Sequence, residues 1–217
     1  MKKILFVIVL FSSLPAFSQH LEFSMSSGSG MAYIFENLDK SVNIKYGVPI
    51  SLTSAFKYTP GDSRWGLKMR LQFIEASIKG TNWSTASYSD IDGFVYSWTT
   101  SFIIENNVPL TNSAYGYSFG LGITNETFSP VKNDRWYDEV TKYPSLILGA
   151  HWDFKINSNL DFQILPTLMV QDPYRSIGYL FGHVEPRIAR EDLTIMINFG
   201  VRYMLVSKHM QVNQNQY

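Results

Sequence analysis

Apolar and polar residues alternate along most of this chain, and the repeat is two residues rather than 3.6. The clearest run places Trp65, Leu67, Met69, Leu71 and Phe73 against Gly66, Lys68, Arg70 and Gln72. Side chains two apart lie on one face of a strand, so this pattern predicts a strand with one greasy face and one polar face. The same alternation places Phe94, Tyr96, Trp98, Thr100, Phe102 and Ile104 against Ser97, Thr99, Ser101 and Glu105. Tyr115, Tyr117, Phe119, Leu121 and Ile123 alternate with Gly116, Ser118, Gly120, Gly122 and Thr124. Leu146 to Ile156, Leu160 to Ile164 and Leu193 to Leu205 continue it. Two earlier segments are less regular: Leu21, Phe23 and Met25 with Met31, Tyr33 and Phe35, and Val48, Ile50, Leu52, Phe56 and Tyr58.

These runs predict about eight strands, most of them long enough to cross a bilayer at a tilt, which takes about 9–11 residues. A soluble sandwich would use strands nearer 5–6 residues with polar outward faces. Here the apolar face carries large aromatics along its length. The predicted fold is therefore all-β: an antiparallel up-and-down transmembrane β-barrel. The connections fall at 36–45, 59–64, 80–92, 106–114, 125–142, 157–159 and 171–192, longer and shorter in turn. With the N-terminus in the periplasm, the longer ones face outside, as external loops of such barrels do. Thr59-Pro60-Gly61-Asp62-Ser63 and Asn157-Ser158-Asn159 carry turn chemistry on the inner side. Pro49 and Pro166 sit inside assigned strands, where a closed barrel has no free edge to tolerate them. Each predicts a bulge or a shorter strand. The 171–192 stretch contains Tyr179, Phe181 and Val184. It reads as a hairpin above the membrane or as two further strands of a ten-stranded barrel.

Composition fits this picture. Aromatics make up 15% of the chain, yet mean hydropathy is only −0.06, as expected when one face of each strand is apolar and the other is not. Lys2 and Lys3, the run Ile4 to Phe11 and the small residues Ala16 and Ser18 read as a secretory signal cleaved after Ser18. That run is too short to span hydrocarbon. Residues 1–18 are thus the expected signal peptide and 19–217 the expected barrel, with a polar tail over 206–217. There is no Cys, so there is no disulfide framework and no lipoprotein anchor. Basic and acidic residues number 18 each, which gives no basic excess for a nucleic-acid partner.

The last strand contains Asn198-Phe199-Gly200-Val201-Arg202-Tyr203-Met204-Leu205. A polar residue, Gly two later, an aromatic three after that and an apolar residue two further on resemble the β-signal read by the outer-membrane assembly machinery. Val206 to Tyr217 continue beyond it, whereas the signal usually ends near the aromatic. The whole mature chain resembles the small outer-membrane protein β-barrel family of Gram-negative cells. That resemblance implies a porin-like fold, a place in the cell outer membrane, contact with outer-membrane lipid and handling by the assembly machinery. It implies little chemistry, because the fold is shared more widely than any activity.

Charged residues on the inward face are Glu22, Lys57, Lys68, Arg70, Glu105, Asp153, Lys155, Asp161 and Arg202. They form either an ion path or a paired polar core. The narrow interior of an eight-stranded barrel favours the core. Gly116, Gly120 and Gly122 would leave room for large side chains on neighbouring strands, or simply loosen a strand near its turns. A hydrolase would need a nucleophile beside a His base held by a third group. The His residues are His20, His151, His183 and His209. His151 is predicted to face the lumen beside Asp153. His183 with Glu185 could orient Ser176, although loop His and Glu are mostly solvated. Asp90 and Asp92 suggest an acid pair or calcium loop and read more simply as a turn. Trp136 and Tyr137, among Lys132, Asp134, Arg135, Asp138 and Glu139, could anchor a partner or sit at the membrane interface.

The expected function is a non-enzymatic barrel with a structural or surface-interaction role, contacting an extracellular or envelope protein through its external loops. No catalytic, cofactor or metal site is expected. The alternatives are a lipid- or peptide-processing hydrolase on the same barrel, and a narrow channel or secretion-machinery component.

Overall fold

The computed structural model describes residues 19–33, 43–61, 63–81, 90–130, 140–174 and 193–207. Residues 1–18, the expected signal peptide, lie outside this set, as do 208–217 of the expected tail. Among the described residues there are ten strands: β1 (Gln19–Tyr33), β2 (Asn43–Tyr46), β3 (Ile50–Pro60), β4 (Trp65–Thr81), β5 (Asp90–Asn106), β6 (Val108–Pro109), β7 (Ser113–Pro130), β8 (Val140–Lys155), β9 (Leu160–Gln171) and β10 (Leu193–Ser207).

Eight of them form the wall. β1, β3, β4, β5, β7, β8, β9 and β10 pair antiparallel in that order, and β10 returns to β1, closing the barrel. β9 bonds directly to β10 from Leu193↔Val170 to Tyr203↔Leu160. With β9 directly on β10 the wall has eight strands, and the ten-stranded barrel is ruled out; Tyr179, Phe181 and Val184 lie outside the described residues. The two further strands arise elsewhere. β2 pairs with the upper end of β4 beyond β3, and β6 pairs with β7 beyond the end of β5.

Following the pairs sideways gives the tilt. Phe23 faces Phe56, then Met69, Phe102, Leu121, Leu146, Val170 and Leu193. Phe23 itself faces Tyr203 on β10, ten residues along from Leu193. A stagger of ten over eight strands, with a rise of about 3.3 Å and a spacing of about 4.8 Å, tilts the strands by about 40°. Each residue then climbs about 2.5 Å along the axis.

The faces follow the alternation. On β4, Gly66, Lys68, Arg70 and Gln72 point in, while Trp65, Leu67, Met69 and Leu71 are exposed outward. On β10, Leu193, Ile195, Ile197, Phe199, Val201 and Tyr203 form an outward apolar column about 25 Å tall, the height expected of a lipid-facing band. Above this height β4 changes character. β4 turns Glu75, Ser77 and Lys79 outward and Ile74, Ala76 and Ile78 inward, because that part of the strand has left the hydrocarbon.

Several boundaries differ from those read in the sequence. β4 continues to Thr81, β5 starts at Asp90, and β7 runs to Pro130. The external connections 80–92 and 125–142 are therefore shorter than expected. Hydrogen bonding between neighbouring strands persists after the apolar alternation has faded. Asp90 and Asp92 lie in β5 rather than in a turn, and Asp92 pairs with Lys79 across the strands at 4.0 Å. Val48 and Pro49 fall between β2 and β3, in a break where Gly47 N donates to Ser77 O at 2.7 Å. Pro166 lies within β9, and the bonding to β8 is interrupted there, between Gly149↔Thr167 and Trp152↔Ile164. Proline lacks the N–H that the ladder needs.

The inner turns match their chemistry. Gly61 takes φ 50°, a left-handed conformation that costs glycine little, and Ser63 N donates to Pro60 O. Asn159 N donates to the Asn157 side chain at 2.9 Å, an Asx turn.

Candidate functional site

The lumen gathers most of the inward charges into one ring near the periplasmic end. Glu105 is the first hub, with Lys68 at 2.5 Å and Lys57 at 2.9 Å. Lys57 also approaches Glu22 at 3.5 Å. Arg202 is the second hub, reaching Asp161 at 2.6 Å, Asp153 at 2.9 Å and Glu22 at 3.6 Å. Gln163 donates to Asp153 at 2.7 Å. Glu22 thus joins the two hubs into a single network. Except for Asp161, its charged members are buried. Charges held this far from water persist only when paired and hydrogen-bonded.

Two glycines leave space for the ring. A Cβ on Gly66 would lie 2.7 Å from Lys57 Cε, and one on Gly116 would lie 2.6 Å from His151 Cε1. Gly120 does the same for Ile103, whose Cγ1 would be at 2.6 Å. These absent side chains make room for neighbours, rather than merely loosening the strand.

Toward the extracellular end, Ile74, Ile103, Ile147 and Met169 form a buried apolar cluster across the lumen. Between ring and cluster lies a cavity of about 30 Å³, room for one or two waters. Higher still, hydroxyls and amides bridge the strands: Thr99 to Thr124 at 2.8 Å, Thr124 to Ser145 at 2.5 Å and Ser145 to Gln171 at 2.7 Å. Tyr143 donates to Glu126 at 2.6 Å. Ser51 donates to Asn198 across β1.

Of the nine inward charges expected from the sequence, eight line this interior. Lys155 does not: it is exposed at the periplasmic end of β8, where the lumen opens to solvent. Glu126 and Tyr143 were missed. Both continue the period-two pattern beyond the point where the strands were ended, so the signal was present in the alternation. The other sites separate. His151 is buried next to Asp153, with Nε2 3.5 Å from its carboxylate, and neither ring nitrogen has a hydrogen-bond partner among the described residues. It therefore has no serine within hydrogen-bond reach there. His20 lies on β1, half-buried. Ser176, His183, Glu185, His209 and the Trp136-Tyr137 stretch with its charges lie outside the described residues. Among the described residues no cluster of acidic and imidazole side chains could hold a metal ion.

Sequence comparison matches no family model and no curated protein. Structural comparison does find relatives in fold. Neisserial surface protein A superposes with a TM-score of 0.50 at 11% identity, covering 86% of this chain and 96% of that one. The outer membrane protein OprG from Pseudomonas aeruginosa gives a TM-score of 0.50 at 12% identity, with the same coverage. At such identity the likeness concerns the fold. This chain has the architecture of a small eight-stranded outer-membrane barrel, and its apolar belt suits a lipid surrounding.

Proposed function

Taking a small barrel of the outer membrane as the premise, we propose that this protein is a non-enzymatic surface barrel with an occluded lumen, acting through its extracellular end in a structural or surface-interaction role. One observation carries the reading. The Glu105 and Arg202 network and the Ile74, Ile103, Ile147 and Met169 cluster fill successive levels of the lumen. What is left to meet the surroundings is the lipid-facing wall and the external rim. The strands β4, β5 and β7 rise above the belt and hold that rim on rigid bonded sheet. An extracellular or envelope protein is the partner such a rim suits. Export through a cleaved signal peptide and delivery to the assembly machinery through β10 belong to the same reading.

The test is conductance. Purified protein in planar bilayers is expected to give no sustained current, because a water-filled pore normally needs many more strands. Regular open-channel steps would replace this reading with the channel.

A further inference from the structure

We propose that the cavity beneath the apolar cluster is a binding site for one small monovalent anion of about the size of chloride, held by Arg70. Arg70 is buried on β4, and its Nε and Nη2 have no hydrogen-bond partner among the described residues. The carboxylates of the ring are already engaged by other cations. Glu105 meets Lys57 and Lys68, Glu22 meets Lys57 and Arg202, and Asp153 and Asp161 meet Arg202. None of the ion pairs among the described residues includes Arg70. A buried guanidinium without a counter-charge in hydrogen-bond reach is costly, and so is each of its unused donors.

The cavity supplies what such a group lacks. Arg70, Lys68, Ser24, Ser26, Thr53 and Asn198 line it, together with Glu105. Its charged lining carries two cations against one carboxylate, and that carboxylate is shared between two lysines. Thr53 sits opposite Ser26 on one side and Gln72 on the other, and its hydroxyl also has no hydrogen-bond partner among the described residues. The donors thus come from four adjacent strands, β4, β3, β1 and β10. About 30 Å³ admits a monatomic ion. Polyatomic anions such as gluconate are too large. The ion ring lies below the site and most of the apolar cluster above it, so the ion is bound as part of the folded core rather than conducted.

The experiment uses the full mature barrel in detergent micelles. Its unfolding midpoint is measured in sodium chloride, sodium bromide and sodium gluconate at matched ionic strength. A ligand that binds only the folded state raises the midpoint with its concentration. The midpoint is expected to rise with chloride and bromide and to stay flat in gluconate. The difference should vanish in Arg70→Gln and persist in Lys142→Gln, a surface control. If Arg70→Gln does not fold, Thr53→Val serves instead, and the halide dependence should shrink. Crystals soaked in bromide should show an anomalous peak beside Arg70. Equal midpoints in chloride and gluconate, or no peak, would mean that water fills the cavity and would overturn the proposal. A peak without any stability dependence would mark an adventitious ion only and would overturn it equally.

Discussion

A single carboxylate decides much of the lumen. Glu105 is almost wholly buried and meets two lysines. Glu105→Gln keeps its shape and removes its charge, leaving Lys68 without its only ion pair among the described residues. Breaking one partner of a buried pair costs about 3–5 kcal/mol, and that loss is expected in denaturant unfolding of the barrel in lipid vesicles. Arg70 stands outside the ion pairs among the described residues, and the hubs are Glu105 and Arg202. The outward face is tested by the opposite chemistry. Leu71 and Ile197 face outward near the middle of the belt. Arg at either position should cost about 2–4 kcal/mol in the same measurement. Arg at Lys79, above the belt, should leave stability unchanged. Equal effects at Leu71 and Lys79 would place the belt wrongly.

At the scale of elements, each strand depends on what its neighbours leave out. β7 carries Gly116, Gly120 and Gly122 on its inward face, and β5 and β8 fill the space. A Cβ on Gly116 would overlap the Asn106 carbonyl oxygen, with His151 also in the way. One on Gly122 would approach nothing closer than 3.0 Å. Gly116→Ala is therefore expected to lose about 1–3 kcal/mol, the usual cost of overpacking, and Gly122→Ala distinctly less. Matched losses at both sites would show that the strand tolerates neither side chain for a reason other than packing. The prolines act at the same scale. Pro49 sits in the break between β2 and β3, where pairing with β4 lapses, whereas Pro166 stays within β9 because its neighbour β8 forgoes two pairs there. The sequence warned of both, but whether a strand stops or bends depends on the partner across the ladder.

For the whole molecule, the belt and the closed wall set location and permeability together. In fractionated Gram-negative cells expressing the full chain, the protein should be found in the outer membrane and resist extraction by salt. Recovery in the soluble periplasm would contradict the belt. Within that membrane the filled lumen should carry no sustained current.

The sequence by itself determined the strand faces, the near-count of strands and the presence of an inward charged set. These follow from a local rule, since a strand places alternate side chains on opposite sides whatever it pairs with. It also showed which connections are tight turns, because Gly61 and Asn157 act through their own backbone and near neighbours. Closure, stagger and the separation of Lys155 from the ring were decided only by the tertiary structure. So were the strand ends above the belt, where bonding to a neighbour holds β4 to Thr81 although its apolar alternation has reversed. The pairing of Arg202 with Asp161, Asp153 and Glu22 joins β10, β9, β8 and β1. Such contacts depend on a ten-residue stagger around the barrel, a quantity that no single strand encodes.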